Sequence, residues 1–522
     1  MVDSLDQKMP GYMVYCVVVA CIGSFSNGWV IGSANIPGQV THSCVHDEGS
    51  FHFTTSSKIC PDCLPMSTSL WGFAVASFCL GGLFGGLLGG VIQTRYGRKK
   101  TIIFNNVGWI LGGVLIAVST SPAMFIVGRV LCGLSCGLGS LATPTYVGEI
   151  STIKARGTMG TGNQLFIVTG ILLASIIGLP LAKVPLWRIN YVIVAVPAVL
   201  QTLLMAGCVE SPRYLVSLNR IEDARESLAK LRPNSSIERE FYNMVKGQLG
   251  TSAASALTNS NSSSSDRGVV NVSVPELSKT SFEQYMFEEV LSQDSNDDNE
   301  KNGVCCEATL SMNVIQIFGN PLIKRIAVTV LTLHVIQQLI GMGAVMYYST
   351  TIFNIAFDEN MSKYMAIAAT VVNFVSTLIS LLLIDRMGRR ALLLIAEVGA
   401  CLFSVLLVIG FVYNSGALLV VSVFGYVFFF AVGVGPIPWM MTSELTPLYA
   451  SSAVGAIATA MNWASNFAIA QLFPVVFAGI HGYSFAIFAC IAALAAVYTW
   501  FNVPETKGRS LEQIIDNFKS AS

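Results

Sequence analysis

Two adjacent glutamines, Gln337 and Gln338, lie inside an apolar run of roughly 326–357 that has no acidic residue before Asp358. A run of this length predicts a membrane-spanning helix. Unpaired amides are costly in hydrocarbon, so both side chains must face a helix bundle or a wet cavity. Because an amide donates to one hydroxyl and accepts from another, the pair suits a neutral polyhydroxy solute. Hydrogen bonding between helices is an equally strong alternative.

The composition is that of a polytopic membrane protein. Of 522 residues, 53% are hydrophobic and 11% are charged, whereas a soluble domain has about 25% charged residues. The formal net charge of zero argues against a site for anionic ligands but says nothing about nucleic acid. We separately predict no nucleic-acid partner. We find no nucleophile–base pair, no metal constellation and no nucleotide-binding loop. We therefore predict no enzymatic activity, no cofactor and no metal.

Hydropathy predicts twelve membrane spans. They are roughly residues 12–34, 69–93, 101–120, 123–147, 160–182, 189–209, 326–356, 363–384, 391–413, 417–443, 453–478 and 482–503. Basic residues are concentrated in the connections after even-numbered spans, at 95–100, 154–156 and 386–390. Cytosolic loops carry such excesses, so these connections and both termini are predicted to be cytosolic. The membrane would be the plasma membrane or an endomembrane such as that of a vacuole or lysosome.

Two connections are long. The external or lumenal one, 36–68, holds Cys44, Cys60 and Cys63 with scattered histidines, and a disulfide is favoured there over a metal site. The central one begins with helical periodicity and continues into a polar, serine-rich stretch that cannot bury a core. We divide the chain into an N-terminal six-helix bundle (1–209), a cytosolic helical segment (210–250), a disordered cytosolic loop (251–310), a C-terminal six-helix bundle (311–503) and a cytosolic tail (504–522).

The two halves of the chain repeat. Arg95-Tyr-Gly-Arg-Lys recurs as Arg386-Met-Gly-Arg-Arg, with the glycines 388 − 97 = 291 positions apart. Glutamates recur at 444 − 149 = 295 and 505 − 210 = 295 positions. Nearly equal offsets indicate a duplicated six-span unit. Two parallel halves with a site at their interface are the design of an alternating-access transporter. The predicted fold is therefore an all-α membrane protein with twelve transmembrane helices in two pseudo-symmetric six-helix bundles.

These motifs carry a resemblance that covers the chain apart from the polar part of the central loop. The matching stretches are Arg95–Lys99, Val127–Arg129, Glu149–Gly157, Val209–Arg213, Gln337–Gly341, Asp385–Arg390, Gly435–Trp439 and Val503–Gly508. Together they resemble the sugar porter family of the major facilitator superfamily, and their pattern is similar to that of the facilitative glucose transporters. The resemblance implies that fold and transport of a hexose or a related neutral sugar or polyol, with the lipid bilayer as surroundings.

The resemblance also implies a solute site. It assigns sugar binding to Gln164, Gln337, Gln338, Asn373, Trp439 and Asn462. The residue types agree, because each amide is a polar group alone in an apolar helix and Trp439 offers an indole N–H and a ring face. Packing is the alternative for Trp439, and a structural hydrogen bond is the alternative for Asn466. His334 either reaches the cavity or is satisfied within the bundle.

Three positions depart from the family pattern. Gly343 replaces an asparagine that follows the paired glutamines, and Ala431 replaces a glutamate before the Gly-Pro-Ile-Pro-Trp run. Ser451 replaces an arginine that pairs with the counterpart of Glu444. These departures indicate a different sugar or polyol, or a different rearrangement on the cytosolic side.

Charged residues at the cytosolic ends of the spans form a second predicted site. Orientation signals explain the basic residues but not the carboxylates, because positive-inside counting ignores acids. The resemblance implies a gating charge network that breaks when the inner side opens. Its members are Arg95, Arg98, Arg129, Glu149, Arg156, Glu210, Arg213, Asp385, Arg389 and Glu444. Gly97 and Gly388 predict tight turns within it.

The first span predicts facilitated diffusion. Proton-coupled sugar porters resemble this chain but have an aspartate where Val30 lies, and there is no acid from Gly11 to Pro37. Two alternatives stay open. Glu397 or His334 could support a proton-coupled symporter, and the same fold could serve as a sugar sensor that transports poorly.

The charge network leads to a first prediction. Neutralising Glu149 or Arg389 should shift the resting population toward the inward-open state by a few-fold, because each partly exposed pair contributes about 1 kcal/mol or less. The labelling rate of a cysteine on the cytosolic side of the cavity measures this shift. Unchanged labelling rates would leave these charges with a role in topology alone.

Overall fold

A computed structural model describes residues 2–3, 9–42, 61–152, 155–233, 235–246 and 314–507. The first half contains α1 (Gly11–Gly32), α2 (Gly38–His42), α3 (Thr68–Tyr96), α4 (Arg98–Ala117), α5 (Pro122–Ile150), α6 (Arg156–Leu181), α7 (Trp187–Val192) and α8 (Ala195–Met205). The second half contains α12 (Val314–Gly319), α13 (Pro321–Leu339), α14 (Met342–Phe353), α15 (Glu359–Met387), α16 (Arg389–Val412), α17 (Gly416–Phe429), α18 (Ile437–Leu445), α19 (Leu448–Ile480) and α20 (Ser484–Asn502).

Twelve spans are present in the described residues, as predicted. Eleven helical stretches are long and apolar enough to cross a membrane, and the last one, 450–502, contains both α19 and α20. A short 3₁₀ turn, His481–Tyr483, separates these two helices. The sixth span is divided into α7 and α8, and the seventh into α13 and α14.

The seventh span breaks beside the paired glutamines. Gly341 has φ +105°, in the left-handed region that favours glycine. A Cβ at this position would also lie 2.7 Å from the Phe488 ring. The carbonyls of the last turn of α13 lose their helical partners at such a break. The Tyr426 hydroxyl satisfies one of them by donating to the Ile340 carbonyl at 2.9 Å.

The tenth span breaks at the same level. A π-helical turn, Phe430–Val434, joins α17 to the Gly-Pro-Ile-Pro-Trp run. Pro436 and Pro438 have no N–H, so the carbonyls four residues earlier, on Val432 and Val434, cannot form the usual α-helical hydrogen bond. A side chain from another helix supplies a donor here, since the Ser380 hydroxyl donates to the Val432 carbonyl at 2.7 Å.

The duplicated glycines form the same turn in both halves, as predicted. Gly97, between α3 and α4, has φ +89°, and Gly388, between α15 and α16, has φ +90°. We call the end of the bundles that carries these turns the motif end. The halves contact each other along α3 with α19 and along α6 with α15.

A separate unit follows the sixth span. It contains α9 (Pro212–Ser217), α10 (Ile221–Leu231) and α11 (residues 238–246), which share a small apolar core that includes Leu228 and Phe241. Strand β1 (Val2–Asp3) pairs in parallel with β2 (Ser235–Ser236). No strand was predicted, because two residues carry no readable period. The loop predicted to be disordered, 251–310, lies outside the described residues.

The long connection after the first span ends in an anchored segment. Cys63 is disulfide-bonded, as favoured from the sequence, whereas Cys44 and Cys60 lie outside the described residues. This disulfide uses a thiol that the alternative metal site would need. The indole of Trp187 donates to the Asp62 carbonyl at 2.9 Å and holds the segment against the sixth span.

Candidate functional site

Gln337 is fully engaged with protein atoms. Its Nε2 donates to the carbonyls of Val434 at 3.0 Å and Gly435 at 2.6 Å. Its Oε1 accepts from Asn462 Nδ2 at 2.7 Å. The side chain therefore satisfies the Val434 carbonyl, which Pro438 leaves without its α-helical donor, and it also binds the neighbouring Gly435 carbonyl. In this state, interhelical bonding describes Gln337 better than ligand binding.

Gln338 keeps part of its amide open. Its Nε2 donates to Asn462 Oδ1 at 3.1 Å, and its side chain is half-buried. Asn462 in turn donates to the His334 carbonyl at 3.1 Å. Asn462 is thus the link between the two glutamines, and the carbonyl oxygen of Gln338 remains for a ligand.

Three predicted site residues have uncommitted polar groups. The amides of Asn373 and Gln164 and the indole N–H of Trp439 have no hydrogen-bond partner among the described residues. Asn373 is buried on α15, whereas Gln164 on α6 and Trp439 on α18 are half-buried. Such groups suit a hydroxylated ligand, because each can donate to or accept from a hydroxyl.

His334 packs against the Trp439 ring. The ring is buried and lies edge-on to the Trp439 ring, with centroids 4.6 Å apart. His334 Nε2 lies 2.9 Å from the Thr442 hydroxyl oxygen. The structure therefore satisfies one nitrogen of His334 within the C-terminal bundle, which was one of the two alternatives.

A contact between the halves lies close to Gln164 on α6. The Thr161 hydroxyl on α6 lies 3.6 Å from the sulfur of Met440, the residue after Trp439. Gln164 follows Thr161 by less than one helical turn, so the two residues share that part of α6. The predicted site thus draws on α6 of one half and on α13, α15, α18 and α19 of the other.

The departure at Gly343 has a structural counterpart. A Cβ at Gly343 would lie 3.1 Å from Asn466 Oδ1, and this oxygen accepts from the Tyr347 hydroxyl at 3.2 Å. An asparagine at position 343 would compete for this space. Asn466 therefore has the structural hydrogen bond that was its alternative, and Ala431 is buried in the π-helical turn.

At the motif end, one ion pair recurs in each half. Arg98 and Glu149 lie 2.8 Å apart on α4 and α5. Arg389 and Glu444 lie 3.1 Å apart on α16 and α18. Each of these pairs joins two helices of the same bundle.

Two glutamates cap helices at the motif end. Glu210 accepts from the backbone N–H groups of Arg98 and Lys99 at 3.0 and 3.1 Å. Glu505 accepts from those of Arg389 and Arg390 at 2.9 and 3.1 Å. A carboxylate at a helix N-terminus satisfies orphan donors and interacts favourably with the helix dipole. Glu505 was absent from the predicted network, although its repeat offset from Glu210 could have identified it.

The prediction that Arg129 joins this network is wrong. Arg129 and Glu149 are twenty residues apart on α5, or about 30 Å along the axis, so Arg129 lies toward the opposite end. Its guanidinium donates to the carbonyls of Val30 at 3.1 Å and Val75 at 3.0 Å. It also lies 4.7 Å from the Phe78 ring centroid.

The other predicted charges are placed as follows. The Arg95 guanidinium lies 5.7 Å from the Tyr96 ring centroid at the motif end. Arg213 is on α9, in the separate unit. The side chains of Arg156 and Asp385 lie outside the described parts of the chain, and their roles stay predictions.

Glu397 lies outside the amide cluster, which consists of the hydrogen-bonded side chains of Gln337, Gln338 and Asn462. It is buried between α16 and α20, where the Thr499 hydroxyl donates to its Oε1 at 2.9 Å. Its Oε2 has no partner among the described residues. Neither helix contributes a predicted solute-binding residue.

Twelve spans in two repeated halves, with polar groups between the halves and duplicated charged turns at one end, define a membrane transporter of the major facilitator fold. The chain matches the family described as "Sugar (and other) transporter" over residues 16–264 and 267–518. It therefore belongs to that family.

Relatives and solved structures agree with this assignment. The facilitated glucose transporter member 4 of solute carrier family 2 from Mus musculus is 33% identical over 529 residues, 98% of this chain and 92% of the relative. Member 3 from Mus musculus is 32% identical over 528 residues, 98% and 94% of the two chains. The proton:xylose symporter XylE bound to 6-bromo-6-deoxy-D-glucose has a TM-score of 0.70 at 23% identity, covering 97% of this chain and 99% of that chain. The similarity to XylE concerns the fold alone.

The hydrogen bonds distinguish amides with open polar groups, those of Gln338 and Asn373, from Gln337, which holds the backbone. Gln338→Ala and Asn373→Ala should each lower sugar affinity about threefold to tenfold, since a neutral hydrogen bond contributes about 0.5–1.5 kcal/mol. Gln337→Ala should also lower the thermal stability, because it removes two hydrogen bonds to backbone carbonyls, and one of these carbonyls, that of Val434, has no α-helical donor. Equilibrium binding and thermal unfolding of the purified variants measure both effects.

Gln201 provides the matched control. Gln201 lies in the sixth span, and its Nε2 donates to the carbonyls of Val19 and Ala20 in the first span, both at 2.9 Å. Gln201→Ala should therefore lower stability without changing affinity. Wild-type affinity in both Gln338→Ala and Asn373→Ala would rule out the assigned site.

The two capping glutamates predict opposite pH responses. Burial raises the pKa of Glu210, against the backbone N–H groups that it accepts from. Burial also acts on Glu505, but four backbone N–H groups outweigh it and lower its pKa. A lowered pKa contributes stability that is present above the usual value of 4.5 and is lost as the pH falls through the lowered value. A raised pKa contributes stability that is present below the usual value of 4.5 and is lost as the pH rises through the raised value.

Thermal unfolding across pH tests these signs. Glu505→Gln should cost about 1 kcal/mol near neutral pH, the usual effect of losing a helix cap, and should match the wild type in acid. The stability of Glu210→Gln relative to the wild type should instead increase as the pH rises above 4.5. If the stability of both variants relative to the wild type changed in the same direction with pH, the opposite pKa shifts of Glu210 and Glu505 would be contradicted.

Proposed function

We propose that this chain carries a hexose or a related neutral sugar or polyol across a membrane by alternating access. The observation that carries the proposal is the amide cluster at the breaks of the seventh and tenth spans. There Gln337 secures the backbone, while Gln338 and Trp439 keep polar groups for hydroxyls. Asn373, buried on α15, adds a further amide without a partner among the described residues. Its relatives include proteins named as facilitated glucose transporters.

The hydrogen bonds between Asn35, just after the first span, and the seventh span supply a gate away from the motif end. Asn35 Nδ2 donates to the Ser349 hydroxyl at 2.6 Å, and its Oδ1 accepts from the Thr350 hydroxyl at 3.0 Å. With the motif end cytosolic, as the basic residues predict, this contact closes the external side. Neutral hydrogen bonds contribute about 0.5–1.5 kcal/mol each, so the closed state is readily reversed.

Transport would be facilitated diffusion. Arg129 donates to the Val30 carbonyl, at the position where proton-coupled relatives were expected to have an aspartate. Its other contacts, the Val75 carbonyl and the Phe78 ring, carry no titratable proton. Glu397 lies between helices that hold no predicted solute-binding residue, so its protonation is not coupled to sugar occupancy by contact.

Uptake into sealed proteoliposomes tests this function. The purified protein should equilibrate one or more of a panel of labelled sugars and polyols and stop at equal concentrations. Accumulation driven by an inward proton gradient, abolished by Glu397→Gln or His334→Ala, would replace facilitation with symport. Binding without flux would favour the sugar sensor, and neither binding nor flux would refute the proposal.

A further inference from the structure

One buried amide of the N-terminal half is outside the site described so far. Asn27, on α1, is 7% exposed, and its Oδ1 has no partner among the described residues. Its Nδ2 lies 3.5 Å from the Ser140 hydroxyl oxygen, at the outer limit of a hydrogen bond. Ser140 donates its own proton to the Cys136 carbonyl at 2.8 Å, so it can only accept from Asn27. Asn27 therefore has an open acceptor and a weakly held donor.

A second polar pair lies beside it on the same face of α1. Ser24 precedes Asn27 by three residues, so the two side chains are neighbours on the helix surface. The Ser24 hydroxyl donates to Asn163 Oδ1 on α6. The amide nitrogen of Asn163, which is half-buried, has no partner in the described parts of the chain. The face thus offers a free acceptor on Asn27 and free donors on Asn163.

Asn163 lies at the level where α6 approaches the other half. It directly precedes Gln164, and the Thr161 hydroxyl, two residues earlier, contacts Met440 beside Trp439 in the other half. The hydrogen bond from Ser24 to Asn163 puts Asn27, one turn further along α1, close to the same level of the N-terminal bundle.

A purely structural role explains Asn27 less well than it explains another buried amide of the same bundle. A structural amide of this bundle, Asn106, also has an unpartnered Oδ1, but its Nδ2 donates to the Thr202 hydroxyl at 3.0 Å, between α4 and α8. Asn27 lacks a bond of that quality. A buried amide that is left unsatisfied by protein is costly and is expected to bind water or a ligand hydroxyl.

We propose that Asn27 and Asn163 form a hydroxyl-binding pair on the N-terminal bundle, facing the amides of the C-terminal bundle. This inference rests on the proposed function and narrows its substrate class. The solute carries hydroxyls on two opposite edges, as a hexopyranose or a hexitol does. One hydroxyl donates to Asn27 Oδ1, and a neighbouring one accepts from Asn163 Nδ2.

Equilibrium binding of D-glucose and its monodeoxy derivatives to the purified full chain tests the pair. Asn27→Leu should lower the affinity for the fully hydroxylated sugar about threefold to tenfold. One monodeoxy derivative should bind the wild type more weakly than the parent sugar does. That derivative and the parent sugar should bind Asn27→Leu with equal affinity. This coupling identifies the hydroxyl that Asn27 binds, and a merely structural residue would not produce it.

Two further variants keep the test decisive. Asn106→Leu, the matched control, should reduce thermal stability and leave all affinities unchanged. Asn27→Ser removes the amide with less change of polarity and replaces Asn27→Leu if that variant does not fold. Unchanged affinity in the Asn27 variants, or an equal loss for every derivative, would overturn the inference while the proposed function stands. A wild type that binds no member of the panel, in a preparation that also transports none of the sugars and polyols, would overturn both.

Discussion

The hydrogen bonds of Gln337 to the carbonyls of Val434 and Gly435 are the interaction on which the site depends. A membrane span can be broken only where other groups satisfy the freed backbone. The prolines of the tenth span remove N–H donors, and Gly341 interrupts the seventh span at the same level. Gln337 joins these two breaks, and Asn462 then joins Gln337 to Gln338. The non-helical backbone beside the candidate site is thus stabilised by side chains that were predicted to bind the solute.

The motif end is organised by a similar constraint, applied to helix termini. Gly97 and Gly388 let two helices begin immediately after two others end, which leaves orphan N–H groups at the new N-termini. Glu210 and Glu505 satisfy those groups, and the neighbouring arginines pair with Glu149 and Glu444. Duplication has preserved this whole arrangement and not the charges alone. The same local geometry therefore recurs in both halves, although the pKa values of the two capping carboxylates shift in opposite directions.

Much of the architecture could be predicted because hydropathy and repeated motifs are local signals. The twelve spans and the glycine turns were predicted in this way, whereas the set of site amides came from the family resemblance and stays a prediction. The different roles of Gln337 and Gln338 could not be predicted, since adjacent helical residues point about 100° apart and only tertiary packing shows which one meets the open carbonyls. Arg129 was misplaced because a resemblance groups charges by motif, whereas its position along α5 puts it at the other end. Asn27 was overlooked because its span contains several small polar residues, and none of them breaks the apolar pattern.

The hydrogen bonds of Asn35 reach only the second of the two helices that form the seventh span. Ser349 and Thr350 lie on α14, a helix of 12 residues that begins after the left-handed glycine. The paired glutamines lie before that glycine, on α13. A rotation about the Gly341 backbone would move α14 while leaving the glutamines and their carbonyl partners in place. The hydrogen bonds of Asn35 are therefore mechanically separable from those of Gln337, because a motion confined to α14 would break the first set and leave the second intact.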